Sequence, residues 1–268
     1  MGLTVVKSEF TVKNCRIDTL AFDSESKAFT IIEYKRDKNF GVIDQGFMYL
    51  ALMLENRADF LVEYNEQKKS SMKLNDLDWS QSRVVFVAPS FTEIQVQAAN
   101  FKDLPIELWE FGQYANNVVV VKQIGKSRSA GSFKTVAVGD AEIKKVAEEI
   151  AVVTEEDHTA YAGAEVAQLY EKFKGAILNL ASGIEIKPQK VYIAFKKKRN
   201  IVDIELQKHG LKLWINAPFG SIDDSKGLAK NAANVGHFGN GDYEIKATDD
   251  SDLEYIMSLV KQVAVKQS

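Results

Sequence analysis

The chain has 268 residues, of which 46% are hydrophobic and 26% charged, and this globular balance excludes a collagen-like chain, a coiled coil and a mostly disordered chain. Its one cysteine, Cys15, excludes an internal disulfide framework and a cysteine-based zinc site. The formal charge of −3 argues against a surface built throughout for nucleic acid, because proteins of that kind tend to be basic.

Residues 1–124 alternate between β-rich and helical patterns. Short apolar or β-branched runs predict strands at residues 4–10, 16–22, 29–35, 60–64, 84–88, 106–111 and 118–124. A helix is predicted over residues 41–55 from apolar residues three and four positions apart, and a second over residues 91–101. Alternating strands and helices predict a mixed α/β sheet with flanking helices.

A small, polar and basic segment follows, and we interpret residues 125–139 as a linker. It divides a first domain, residues 1–124, from a second domain, residues 140–268. The second domain is predicted to contain helices over 140–150 and 166–180, a three-stranded meander at 191–195, 201–206 and 211–215, and a final helix after residue 252. This pattern predicts a smaller α+β domain.

No membrane or export signal is visible. The chain has no run of 18 apolar residues, so neither a transmembrane helix nor a membrane partner is expected. The first ten residues carry Lys7 and Glu9 and lack an apolar stretch, which argues against a signal peptide. We therefore expect a cytoplasmic protein.

Two acidic residues and a lysine lie on neighbouring predicted strands. Alternate residues of a strand share a face, so Glu33 and Lys35 point to the same side. If strand 16–22 pairs with strand 29–35, Asp18 lies beside Glu33. Two carboxylates at a strand end suit Mg²⁺ or Mn²⁺, and such an ion polarises a phosphodiester and acidifies its bound water. Beside two carboxylates, Lys35 is expected to stay charged, which suits it to orienting water and stabilising phosphate charge.

The next predicted helix adds two polar residues on one face, since Gln45 and Tyr49 are four positions apart. The ordered set resembles the PD-(D/E)XK nuclease superfamily, and within it the RecB-like and NucS-type branch. The residues that carry the resemblance are Arg16-Ile17-Asp18, Ile31-Ile32-Glu33-Tyr34-Lys35 and Gln45-x-x-x-Tyr49, and it covers residues 3–124 approximately. Ile17 stands where the motif has its proline.

The resemblance implies a restriction-endonuclease-like fold and divalent-metal cleavage of DNA. It implies that Asp18 and Glu33 are metal ligands for Mg²⁺ or Mn²⁺, that Lys35 is the catalytic lysine, that Gln45 and Tyr49 are an auxiliary pair, and that Glu9 is a possible additional acid. The second half, through segments such as residues 236–243, resembles an uncharacterised domain found beside such folds. That likeness implies no chemistry.

Two basic segments are candidates for contact with nucleic acid. The run Lys196-Lys197-Lys198-Arg199 is either a phosphate-contacting turn or a solvated turn. In the linker, Lys126 and Arg128 could follow a DNA backbone or simply belong to a mobile connection.

The sequence thus predicts a metal-dependent nuclease acting on DNA. The alternative is a non-catalytic nucleic-acid- or protein-binding module that retains the nuclease fold, which the acidic balance favours. A third class is a small-molecule sensor that binds a ligand near residues 236–243. A homodimer is also expected. The resemblance implies a helix before the first strand that covers one side of the site, none is predicted here, and a second chain could supply that cover.

Overall fold

The computed structural model describes residues 1–36, 41–115, 118–127, 129–133, 141–150 and 152–267. The chain divides into two compact units. The first unit spans residues 3–152, and the second spans residues 153–268 together with residues 1–2. Among the described residues, no helix has both the length and the apolar character that crossing a membrane requires.

The first unit alternates strands and helices as its sequence pattern predicts. Its elements are β1 (Thr4–Val12), β2 (Cys15–Asp23), β3 (Ala28–Tyr34), α1 (Val42–Glu55), α2 (Arg57–Lys68), β4 (Arg83–Ala88), α3 (Glu93–Ala98), β5 (Ile106–Gln113), β6 (Val119–Gln123) and α4 (Ala141–Glu149). The prediction of a strand at residues 60–64 was wrong, because this segment lies inside α2. A five-residue apolar run suits a strand or one buried helix turn equally well, and here Phe60 and Leu61 pack into the core from a helix.

The strands of the first unit form one mixed sheet. Its described strands lie in the order β1-β2-β3-β4-β5-β6. Strands β1, β2 and β3 are antiparallel neighbours, β4 is parallel to both β3 and β5, and β6 is antiparallel to β5. Parallel neighbours need a crossover, which α1 and α2 provide between β3 and β4 and α3 provides between β4 and β5.

The helices α1 and α2 pack on one face of this sheet. The main core joins α1 residues such as Phe47 and Leu50 to sheet residues such as Phe29, Ile31 and Phe86. A smaller apolar cluster, which includes Ile32 and Val85, lies on the opposite face. Val146 of α4 and Ile150, directly after that helix, belong to the main core. The division into units falls after residue 152, beyond the boundary expected between residues 139 and 140.

The second unit is an α+β structure, as predicted. Its elements are α5 (Glu155–Ala162), α6 (Ala164–Leu178), β7 (Glu185–Pro188), β8 (Ile193–Lys196), β9 (Asn200–Gln207), β10 (Gly210–Ile215), β11 (Lys230–Asn231), β12 (Tyr243–Ala247) and α7 (Leu253–Lys266). Its strands form an antiparallel sheet in the order β11-β12-β10-β9-β8-β7. The predicted meander is β8-β9-β10, and β12, β11 and β7 extend it.

The glycine-rich segment 236–243 packs tightly on the second sheet. The His237 ring stacks on the buried Trp214 ring, with 5.7 Å between centroids and 16° between planes. A Cβ on Gly239 would lie 2.6 Å from the Trp214 ring, and a Cβ on Gly241 would lie 2.0 Å from the backbone oxygen of Ile215. Both positions need glycine because the segment lies directly on its neighbours.

Candidate metal centre

The ends of β2 and β3 bring the predicted acidic pair together. The antiparallel register aligns Thr19 with Ile32, so Asp18 and Glu33 are the next facing positions. Because Phe29 and Ile31 point into the core beneath the helices, the alternation of β3 directs Glu33 to the same side. A bond of 2.9 Å, donated by the backbone N–H of Tyr34 to Oδ2 of Asp18, fixes the Asp18 carboxylate at the end of β3.

Helix α1 supplies the donors that face Glu33. The Gln45 side-chain amide donates to Oε1 of Glu33 over 2.9 Å, and the Tyr49 hydroxyl donates to Oε2 over 3.0 Å. The same amide nitrogen also donates to the Tyr49 hydroxyl oxygen over 3.2 Å. Each oxygen of the buried carboxylate therefore has a donor from the first two turns of α1.

Lys35 completes this cluster. Its ammonium donates to the side-chain oxygen of Gln45 and lies 5.5 Å from the centre of the Phe86 ring. Its backbone N–H donates to the carbonyl of Val87 over 2.8 Å, which extends the pairing of β3 with β4 beyond Tyr34. Four of the predicted residues, Glu33, Lys35, Gln45 and Tyr49, thus form one hydrogen-bonded network, with Asp18 on the neighbouring strand.

The electrostatics of the cluster follow from its burial. Burial raises the pKa of Glu33, and the negative charge of Asp18 raises it further, whereas the Tyr49 hydroxyl and the Lys35 charge oppose that rise. Burial, together with the adjacent Glu33 carboxylate, also raises the pKa of Tyr49. Tyr49 consequently remains a protonated donor. An additional positive charge near Glu33 would favour the ionised carboxylate and so lower its pKa.

Two residues that were not predicted as part of the site lie close to it. Gly46 lets α1 approach β5, because a Cβ there would lie 2.4 Å from Cδ1 of Ile106. A glycine inside a predicted helix was the available signal, since it costs helix stability unless close packing needs it. Cys15 is the second of these residues. It packs against the core, and burial and the nearby Glu33 charge raise the pKa of its thiol.

The side chains at this site that could ligate a hard metal are two carboxylates. Asp18 and Glu33 are the predicted ligands, and among the residues that the structure describes no cluster of three or more His, Cys, Asp or Glu side chains is arranged to hold a metal. Each carboxylate oxygen can accept more than one interaction, so the bonds from Tyr34, Gln45 and Tyr49 leave acceptor capacity. Mg²⁺ commonly uses one or two carboxylates and takes its other ligands from water and phosphate.

Glu9, the possible additional acid, lies opposite Asp18 in the pairing of β1 with β2, since Ser8 pairs with Thr19 and Phe10 with Ile17. It belongs to β1 and has a left-handed backbone with φ of 53°. Its carboxylate is 71% exposed and forms an ion pair of 3.4 Å with the exposed guanidinium of Arg16.

The predicted basic contacts are placed unequally. Lys196 is buried at the end of β8, whereas Lys198 and Arg199 are exposed in the turn that follows. The turn is closed by a bond from the N–H of Lys197 to the carbonyl of Arg199, 3.1 Å long. Lys196 therefore ends a buried strand, and the turn itself presents Lys198 and Arg199 to solvent.

In the predicted linker, the ammonium of Lys126 donates to the carbonyl of Leu104. Burial lowers the pKa of Lys126 to about 8, while the charges of Glu107 and Asp103 oppose that fall. An ammonium held in this way is poorly placed to follow a DNA backbone. Arg128, the second linker residue predicted to contact nucleic acid, lies outside the residues that the structure describes.

These features define a two-unit α/β protein whose first unit carries a carboxylate–lysine–glutamine–tyrosine cluster at the edge of a mixed sheet. The family described as "Domain of unknown function (DUF5655)" matches residues 155–263, within the second unit. An "Uncharacterized protein" of Haemophilus influenzae is 55% identical over 261 residues, which cover 97% of this chain and 86% of that protein. The chain belongs to the family of this H. influenzae protein. No solved structure matches the chain.

Proposed function

We propose that the first unit is a divalent-metal-dependent nuclease of restriction-endonuclease-like fold that hydrolyses phosphodiester bonds of DNA. The observation that carries the proposal is the convergence of Asp18, Glu33 and Lys35 from two strands with Gln45 and Tyr49 from α1. An isolated Glu-x-Lys strand would be ordinary. Here, however, the helix residues required by the resemblance reach the same carboxylate.

The chemistry of the donors fits a hard divalent cation. Asp18 and Glu33 would hold Mg²⁺ or Mn²⁺ through carboxylate oxygens, which are the ligands that these ions prefer. When bound, the ion would supply Lewis acidity toward a phosphate oxygen and would acidify a coordinated water. The raised pKa of Glu33 supports this proposal, because a bound cation would supply the positive charge that favours an ionised, buried carboxylate.

The remaining residues have distinct roles in this proposal. The Lys35 ammonium has three N–H donors and spends one on Gln45, which leaves donors for a phosphate oxygen and the attacking water. Gln45 links Lys35 to Glu33 and so keeps the ammonium and the carboxylate in fixed relation. Tyr49 holds the second oxygen of Glu33 and restricts rotation of the carboxylate. Gln45 and Tyr49 are therefore positioning residues.

A DNA-cleavage assay tests the proposal. The purified chain is incubated with supercoiled, linear duplex and single-stranded DNA in Mg²⁺ or Mn²⁺, with and without a chelator. We expect metal-dependent cleavage of at least one form, reduced roughly 10²-fold or more in Asp18→Asn and Glu33→Gln. The matched control is Glu66→Gln, which removes an exposed carboxylate on α2. Full activity in both site variants, with the fold intact, would contradict the proposal.

A non-catalytic binding module is the second candidate. It is favoured by the closed network around Glu33, in which Gln45 and Tyr49 satisfy both oxygens without any ligand, and by the net charge of −3. Such a module would bind nucleic acid or protein with the same affinity in chelator and in Mg²⁺. DNA binding without cleavage, unchanged by Glu33→Gln, would favour this second function over the first.

A further inference from the structure

The outer strand of the first sheet has an unusual edge. Strand β6 is the last in the order β1 to β6, and within the described parts of the chain β5 is its only strand neighbour. Four consecutive valines, residues 118–121, are between 46% and 57% exposed. Proteins usually protect a free edge with charge, proline or a bulge, and this run contains neither a charged residue nor a proline.

The backbone of β6 is ready to accept another strand. The N–H of Tyr114 donates to the carbonyl of Val118, and the N–H of Ile124 donates to the carbonyl of Leu108, each over 2.9 Å. In an antiparallel pair, residues alternate between bonding toward the neighbour and away from it. Val119, Val121 and Gln123 therefore direct their N–H and C=O groups away from β5.

Both faces of this edge carry exposed apolar side chains from residues 118–121. On one face Val121 is paired with Phe111, which is 38% exposed, and Val119 is paired with Gln113. On the other face Val120 is paired with Gly112, next to the Tyr114 ring, which is 60% exposed. Contiguous apolar surface of this kind on a soluble domain marks an interaction surface.

We propose that this edge pairs with β6 of a second copy of the chain, antiparallel about a two-fold axis at Val120. This register places Val119 opposite Val121 of the other copy, so that outward N–H and C=O groups meet. It places Lys122, the one charged residue of β6, opposite Val118, so like charges do not face one another. A two-fold interface needs such a self-complementary patch.

A specific interface generally buries at least about 1,000 Å² in total, which is about 500 Å² from each copy. The surface available for it here consists of the half-exposed valines, the exposed rings of Phe111 and Tyr114 and the outward backbone groups of β6. The proposal concerns β6 alone and does not depend on the nuclease chemistry.

Light scattering after size exclusion, on the full chain from nanomolar to high micromolar concentration, tests the pairing. We expect a mass twice the chain mass of 29.9 kDa at high concentration. Val121→Lys adds a charge to the edge, and Val121→Pro removes an outward N–H while leaving the bonds to β5. Both should give the mass of one chain. The control Val62→Lys changes an equally exposed valine, 54% exposed on α2, and should remain a dimer.

A wild-type mass of one chain at every concentration overturns the proposal, and so does a dimer that persists in both β6 variants. A second measurement does not depend on how those variants fold. In a Cys15→Ser background, oxidised Val120→Cys should form a disulfide-linked dimer, because a central non-hydrogen-bonded pair has Cα atoms about 4.5 Å apart. Val62→Cys in the same background should not. Failure of Val120→Cys to cross-link overturns the pairing about Val120.

Discussion

The Tyr49 hydroxyl donates to Glu33 and accepts from Gln45, and its stabilising effect can be tested by removing one oxygen atom. In Tyr49→Phe, Oε2 of Glu33 loses the donor that lies 3.0 Å away, while the buried ring remains. A hydrogen bond to a charged group contributes about 1.5–3 kcal/mol, and a bond to a neutral group about 0.5–1.5 kcal/mol. We therefore expect the free energy of unfolding of the first unit to fall by about 1.5–3 kcal/mol when Glu33 is ionised.

The pH dependence of this loss has a definite sign. The pKa of Glu33 is raised in the folded state, and the Tyr49 bond restrains that rise, so Tyr49→Phe raises the pKa further. A carboxyl with a raised folded pKa binds more protons when folded, and its stability contribution is lost as pH rises through the folded pKa. The penalty of the substitution should consequently be larger near about pH 8 than near about pH 4, where both folded and unfolded forms are largely protonated.

Hydrogen exchange read by mass spectrometry assigns the loss to α1 and β3 rather than to the second unit. The control is Tyr34→Phe, which removes the hydroxyl of a tyrosine next to Glu33 in the chain that is 52% exposed at the end of β3. Its effect should stay within about 0.5 kcal/mol. A loss in Tyr49→Phe below about 0.5 kcal/mol, or one of equal size at both pH values, would show that the Tyr49 hydroxyl does not stabilise the ionised Glu33 carboxylate.

Two further predictions concern stability elsewhere in the chain. Gly241→Ala places a Cβ 2.0 Å from the carbonyl oxygen of Ile215, so we expect a urea titration to show the second unit destabilised by about 1–3 kcal/mol. The control Gly236→Ala has nothing within 4 Å of its Cβ and should be nearly neutral in the same titration. Burial lowers the pKa of Lys126 to about 8, so above that pH the folded protein binds fewer protons at Lys126 than the unfolded chain does. As pH rises from about 8 toward 10, wild type should therefore gain stability relative to Lys126→Met, by at most about 3 kcal/mol. A difference between these two proteins that is independent of pH would contradict the latter prediction.

The sequence was sufficient to predict the cluster because its spacing is local. Alternation along β3 places Glu33 and Lys35 on one side, and the four-residue spacing on α1 places Gln45 and Tyr49 together. Only the pairing of β2 with β3 was needed to add Asp18, and the four polar residues 23–26 between these strands are typical of a hairpin turn. The mixed sheet of the first unit and the α+β character of the second are confirmed. Both were predicted from local patterns of apolar residues.

Features that depend on tertiary packing were harder to predict. An amphipathic helix at 141–149 does not reveal which core it joins, and here it joins the first. Cations in the run 196–199 look exposed from sequence, but Lys196 is buried because it ends a core strand. Strand β12 was not predicted. Its apolar and polar residues alternate over only five positions, and the glycine-rich segment directly before it indicates turns more strongly than so short a pattern indicates a strand.

A calorimetric Mn²⁺ titration measures whether Asp18 and Glu33 form the proposed hard-metal site, without relying on DNA cleavage. The titration is made on wild type, Asp18→Asn, Glu33→Gln and the control Glu66→Gln, with and without a cleavage-resistant phosphorothioate duplex that can complete the coordination shell. We predict one saturable site in wild type and Glu66→Gln that is lost or strongly weakened in both site variants. No saturable site in wild type under either condition, or unchanged binding in Glu33→Gln, would contradict the account.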